Sequence, residues 1–195
     1  MNMINDILEI DKTLFLALNG LHHPLLDNFM YYVSLSWTWI PLYLAIIIGW
    51  IKKWKMESLW VILTVIVCLV LTDQFSNITK ASFERLRPSH NPELEGLIHH
   101  VKGYVGGKFG FVSGHASNVF GFALLTSLIV KHSVYTVFIF MWAIMVAYSR
   151  IYLGVHYPFD IIGGMILGMT LAIIIYTIYF RVRRKLMAEI RNRFS

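Results

Sequence analysis

Residues 149–180 read SRIYLGVHYPFDIIGGMILGMTLAIIIYTIYF, and this stretch decides what kind of fold the chain can adopt. Its last part, 161–180, carries no Asp, Glu, Lys or Arg and stops at Arg181. Twenty helical residues rise about 30 Å, the thickness of a bilayer's hydrocarbon core. Pro158 suits the first position of that helix, which puts Asp160 in its first turn and His156 just ahead of it. Working outward, comparable segments lie at 28–51, 112–130 and 133–149; the first is bounded by Asp27 and Lys52 and has Trp and Tyr near both ends. Residues 58–72 are uncharged but too short to cross, so that span is expected to run past Asp73 as 58–80. The expectation is an all-α, polytopic membrane helix bundle of about five transmembrane helices, or six, forming a single domain over 1–195.

Composition agrees. Of 195 residues, 57% are hydrophobic and 14% charged, and mean hydropathy is +0.62. So little charge excludes a disordered chain and cannot cover a water-facing surface. The single Cys68 sits in an apolar run, which leaves no internal disulfide and no thiolate metal cluster. Residues 2–20 differ from the spans: Met3, Ile7, Ile10, Leu14 and Leu18 recur at helical spacing, with Asp6, Glu9, Asp11 and Lys12 between them. This predicts an interfacial amphipathic helix rather than a span, and residues 2–20 are not expected to be a cleaved signal peptide, since they lack its basic leader and small-residue cleavage site.

Five spans assign every loop to a side. Residues 52–57, 131–132 and the tail from 181 hold ten of the 17 Lys and Arg and two of the 11 acidic residues, a net +8. The N-terminal segment, 80–111 and 150–160, together with Asp73 near the outer end of its span, carry the remainder, a net −2. The positive-inside rule makes the first side cytoplasmic, including the C-terminus. Arg181, Arg183, Arg184 and Lys185 then serve as an orientation signal beside anionic lipid, and the scatter of the other basic residues argues against nucleic-acid binding.

The extracytoplasmic side carries three clusters that orientation does not require: KASFERLRP (80–88), VSGH (112–115) and SRIYLGVHYPFD (149–160). In the first, Lys80 and Arg87 are seven apart, so on a continuous helix both would point the same way before Pro88 ends it. In the second, a glycine-rich approach leads to Ser113, Gly114 and His115 at a helix start, where free N–H groups suit phosphate; read alone, Ser113 is simply an N-cap. In the third, Asp160 lies four residues after His156 and can accept its Nδ1–H, leaving Nε2 free. Three cations (Lys80, Arg87 and Arg150) with a helix N-terminus suit a multiply charged oxyanion. Two histidines with different partners suggest a nucleophile and an acid, hence phosphoryl transfer through a phosphohistidine.

Together, Lys80-x6-Arg87-Pro88, Ser113-Gly114-His115 and Ser149-Arg150-x5-His156-x3-Asp160 resemble the three-part signature of the type 2 phosphatidic acid phosphatases, which vanadium haloperoxidases share as an oxyanion site. The resemblance implies an enzyme without metal or cofactor that hydrolyses a membrane lipid phosphate or diphosphate. It implies that His156 attacks phosphorus, Asp160 orients it and His115 protonates the leaving oxygen. Lys80, Arg87, Ser113, Gly114 and Arg150 would hold the phosphate oxygens. Val112 stands where the family usually has proline, and family members commonly have six spans.

A site on the outer face of the inner membrane selects undecaprenyl diphosphate, lipid A, phosphatidylglycerol phosphate or phosphatidic acid as candidate substrates. The 81–111 loop, with Arg85, His99, His100 and Tyr104 among its polar residues, would border the site and set the choice. Asp73, a carboxylate within a span, is expected to support Lys80 or another site cation. Two other classes stand as alternatives. A metal-dependent membrane hydrolase would use His99, His100, His115, His156 and Asp160 as ligands, but it gives no reason for three cations in the same place. A non-catalytic transporter would need polar residues along a path, of which the spans offer few beyond Asp73.

Overall fold

The computed structural model describes residues 3–193, with side chains at 3 and 5–185. Among the described residues, seven α-helices follow one another: α1 (Met3–Asn19), α2 (Pro24–Ser34), α3 (Ile40–Trp54), α4 (Glu57–Phe83), α5 (Gly114–Val130), α6 (Ser133–Tyr152) and α7 (Pro158–Arg193). The chain is an all-α, polytopic membrane helix bundle. Among the described residues, Glu57–Phe83, Ser133–Tyr152 and Pro158–Lys185 are long and apolar enough to cross a membrane, and α2 with α3 makes a fourth crossing if the bent pair is one span. Outward faces are apolar, with Val134, Met141 and Ile144 of α6 at 58–70% exposure, while Thr72, Ser76 and Ser117 are buried. That inversion fits a lipid solvent, since exposed apolar surface on this scale is not tolerated in water.

The uninterrupted segment expected over 28–51 is broken. Helix α2 ends at Ser34, Leu35 is extended, a 3-10 turn covers Ser36–Trp39, and α3 leaves at 76° to α2. Pro41 explains part of this: it has no N–H to donate, and its ring would clash with the carbonyl one turn earlier. The Trp39 indole closes the corner by donating to the Val33 carbonyl at 2.8 Å.

Helix α5 lies at the centre, packed against α4, α6 and α7. Its approach to α7 depends on small residues. A Cβ on Gly164 would stand 2.5 Å from the Ser113 carbonyl oxygen, and one on Gly168 would collide with the Ser117 carbonyl. Such close backbone contact is how membrane helices associate where burial from lipid offers no hydrophobic gain. In α1, Asp11, Phe15 and Asn19 face the protein and are fully buried or nearly so, whereas Met3, Ile7, Ile10 and Leu14 face outward.

Gly168→Ala should therefore destabilise the bundle by about 1–3 kcal/mol through overpacking. Gly49→Ala on α3, where a Cβ would meet nothing within 4 Å, should be neutral or mildly stabilising. Unfolding midpoints in detergent check both.

Candidate active site

The site forms where α4 and α6 end and α5 and α7 begin. Lys80 lies in the last turn of α4, and its ammonium donates to Asn77 Oδ1 at 3.2 Å and Ser76 Oγ at 3.4 Å. It also packs against the start of α5, because a Cβ on Gly114 would stand 3.2 Å from Nζ. Asp73 does not reach Lys80 directly. Its carboxylate accepts from Asn77, which in turn faces the ammonium.

Arg87 reaches the site by a different route from the one its spacing suggests. Helix α4 stops at Phe83, Glu84 adopts a left-handed cap, and Arg87 lies on extended backbone. There Leu86 and Phe109 form an antiparallel bridge, with Arg87 N–H donating to the Lys108 carbonyl at 3.1 Å and Gly110 N–H to the Arg85 carbonyl at 2.9 Å. The guanidinium is held by the Phe109 carbonyl at 3.0 Å. It passes over Gly106, which has φ +66 and where a Cβ would come within 2.6 Å of Nη1.

Ser113 caps α5, accepting from Ala116 N–H at 3.4 Å, while its own N–H donates to the Asp160 carbonyl at 2.9 Å. The first turn of α5 is thus tied to the first turn of α7. His115, one residue into α5, lies beside Ser34, the last residue of α2, where both line one apolar groove. Arg150, near the end of α6, is 2% exposed. It donates to the Ser34 hydroxyl and, at 3.1 Å, to Tyr104 Oη, and its Nε is buried without a partner.

His156 lies in the turn between α6 and α7 and is 1% exposed. Its Nδ1 faces Asp160 Oδ2 at 3.3 Å, and the same oxygen accepts Tyr157 N–H at 3.0 Å. Burial first, then the charges of Arg87, Arg150 and Lys80, hold its pKa well below the ordinary 6.5. Asp160 Oδ1 accepts from Arg85 at 2.8 Å.

All eight residues singled out by the sequence motifs meet at this one end of the bundle. Lys80, Arg87 and Arg150 are close enough to His156 for their charges to act on it, yet none forms an ion pair among the described residues. Buried positive charge without a counter-charge is costly, and an orphaned guanidinium N–H adds to it; an anion would relieve both. The five residues considered as metal ligands do not gather. His99 stacks on His22 at 3.8 Å and bonds to Asp27 at 3.0 Å, and no three His, Cys, Asp or Glu side chains converge among the described residues. Sequence reasoning missed Ser34, and it gave Tyr104 and Arg85 only a headgroup-facing role. No local pattern marks Ser34, because only the break after α2 brings it here.

A membrane helix bundle that gathers three cations and a histidine–carboxylate pair at one end is the class that this fold and site define. Residues 59–184 match the PAP2 superfamily, and the chain belongs to that family. It is 41% identical to a lipid A 4'-phosphatase of Porphyromonas gingivalis over 92% of this chain and 77% of that protein. It is 37% identical to a lipid A 4'-phosphatase of Bacteroides thetaiotaomicron over 85% of this chain and 75% of that one. Its fold matches that of a transmembrane PAP2 type phosphatidylglycerolphosphate phosphatase from Bacillus subtilis with TM-score 0.71 and 24% identity, covering 91% of this chain and 88% of the other.

Gly106→Ala should displace Arg87 and lower lipid phosphate hydrolysis by about 100-fold, the usual cost of an ångström-scale misplacement. Gly107→Ala, where a Cβ meets nothing within 4 Å, should leave the rate unchanged. Initial rates of phosphate release by the two purified variants decide this.

Proposed function

We propose that this protein, an integral-membrane lipid phosphatase, removes the phosphate of a lipid A headgroup at the extracytoplasmic face of the inner membrane. The observation that carries the phosphate site is the convergence of Lys80, Arg87 and Arg150, without carboxylate partners, on the buried His156–Asp160 pair. The two lipid A 4'-phosphatases among its relatives support the substrate, ahead of undecaprenyl diphosphate, phosphatidylglycerol phosphate and phosphatidic acid. An apolar groove of about 350 Å³ supports a lipid: it runs from Ser34 and His115 past Tyr43, Ile62 and Val65 to Trp50, a lining suited to an acyl chain. The positive-inside charge distribution supports an outward-facing site, a cytoplasmic C-terminus and five spans in one domain, with α1 lying in the interface.

In the mechanism, the cations, the Ser113 hydroxyl and the Gly114 backbone take the nonbridging oxygens. His156 Nε2 attacks phosphorus while Asp160 holds Nδ1–H, and the bond from phosphorus to the lipid oxygen breaks. His115 gives its proton to that oxygen, then takes one from a water molecule that attacks the phosphohistidine. Phosphate leaves and both histidines return to their starting states. No step requires a metal.

The neutral, nucleophilic form of His156 persists below its ordinary pKa, so the acid limb of kcat/KM should lie below pH 6.5. Phosphate release should be measured with EDTA present on lipid A, undecaprenyl diphosphate, phosphatidylglycerol phosphate and phosphatidic acid. Lipid A should be preferred, and His156→Ala and His115→Ala should each lose about 1000-fold or more. Release unaffected by either substitution, or abolished by chelation, would remove the proposal.

A further inference from the structure

The phosphate-binding cations have no carboxylate partners, but the cation beside Asp160 has two. Arg85 donates from Nη1 to Asp160 Oδ1 at 2.8 Å and from Nη2 to Asp11 Oδ2 at 2.6 Å. Both carboxylates are fully buried. The guanidinium lies 4.3 Å from the centroid of the Tyr157 ring. Asp11 belongs to α1, outside the span of residues that carries the motifs, and its other oxygen accepts Phe159 N–H at the start of α7 at 2.9 Å. Both oxygens of Asp11 therefore accept from donors, the pattern of an ionised carboxylate.

We infer that Asp11 and Arg85 are positioning residues, forming an ionic chain from the N-terminal helix through Asp160 to His156 that fixes the carboxylate and sets the proton affinity of the His156–Asp160 pair. The inference rests on the reading of His156 as nucleophile. Arg85 occupies Oδ1 of Asp160, so only Oδ2 is left for His156 Nδ1 and Tyr157 N–H. Gly110 closes the far side of that oxygen, since a Cβ there would stand 2.8 Å away. On the histidine side, Oδ2 already accepts from both Nδ1 and Tyr157 N–H. Outer hydrogen-bond partners of this kind orient a reacting group without touching substrate.

Charge makes the inference testable. The pair is faced by Lys80 of α4, Arg85 and Arg87 of the following segment, His115 of α5, Arg150 of α6 and Asp11 of α1, with Tyr157 beside it in its own turn. Removing a cation from this set must tighten the pair's hold on a proton, and removing an anion must loosen it, whichever member carries the proton. A purely structural tie gives no such opposition of sign.

The experiment is the pH profile of kcat/KM on one lipid phosphate for Arg85→Met, Asp11→Asn and the double variant, with His156→Ala alongside. Arg85→Met should move the acid limb up by about one pH unit and Asp11→Asn should move it down. The double variant should return toward the wild-type limb. Each single variant should lose about tenfold to a hundredfold in kcat with KM little changed, because neither residue touches the lipid. Limbs that stay fixed, or that move the same way in both single variants, would overturn the inference. Asp11→Asn is isosteric and keeps the test alive should Arg85→Met fail to fold. Full activity in His156→Ala would instead overturn the nucleophile reading itself, which separates the two failures.

Discussion

Positive charge is gathered at one end of this bundle and left without a counter-ion, and much of the local structure follows from holding it there. A guanidinium or ammonium out of water must be stabilised by dipoles if carboxylates are withheld. Here the Phe109 carbonyl holds Arg87, Asn77 and Ser76 hold Lys80, and Tyr104 and Ser34 hold Arg150. None of these partners neutralises the charge, so the field remains available to a phosphate. The one strong pairing in the neighbourhood is given to Arg85, whose partners are Asp160 and Asp11 rather than the substrate.

The break between α2 and α3 belongs to the same requirement. A continuous helix would use the Ser34 carbonyl in its own ladder. Ending α2 at Ser34 leaves that carbonyl free, as the last carbonyls of any helix are. His115 lies beside Ser34, whose hydroxyl takes Arg150. The corner also opens the apolar groove, whose lining begins at Ser34 and Ser36 and continues down α3. One bend thus anchors an arginine beside a histidine and shapes the apolar groove next to them.

Much of this was legible in the sequence. Charge-free runs marked where α4, α5, α6 and α7 lie, though not the break between α2 and α3, and three motifs placed the eight residues that meet at the site. What stayed hidden was whatever depends on contacts distant in sequence. Lys80 and Arg87 are seven apart, which reads as two helical turns, but Glu84 ends the helix and the bridge to Phe109 carries Arg87 back instead. Asp11 reads as a polar interruption in an amphipathic stripe because its partner, Arg85, lies 74 residues away. The stripe of Met3, Ile7, Ile10 and Leu14 faces outward, and the inward face is the polar-looking one of Asp11, Phe15 and Asn19. Periodicity finds an apolar face, but it does not reveal a buried carboxylate whose cation arrives from the segment after α4.

The most direct test of the central claim is a rapid alkaline quench of the purified enzyme during turnover of a labelled lipid phosphate, followed by mapping of the label on the chain. The account predicts label on the peptide containing His156, appearing before phosphate is released and absent from His156→Ala. Phosphate released at full rate with no labelled peptide, and with inversion of configuration at phosphorus, would mean that water attacks the lipid directly and that His156 is not the nucleophile.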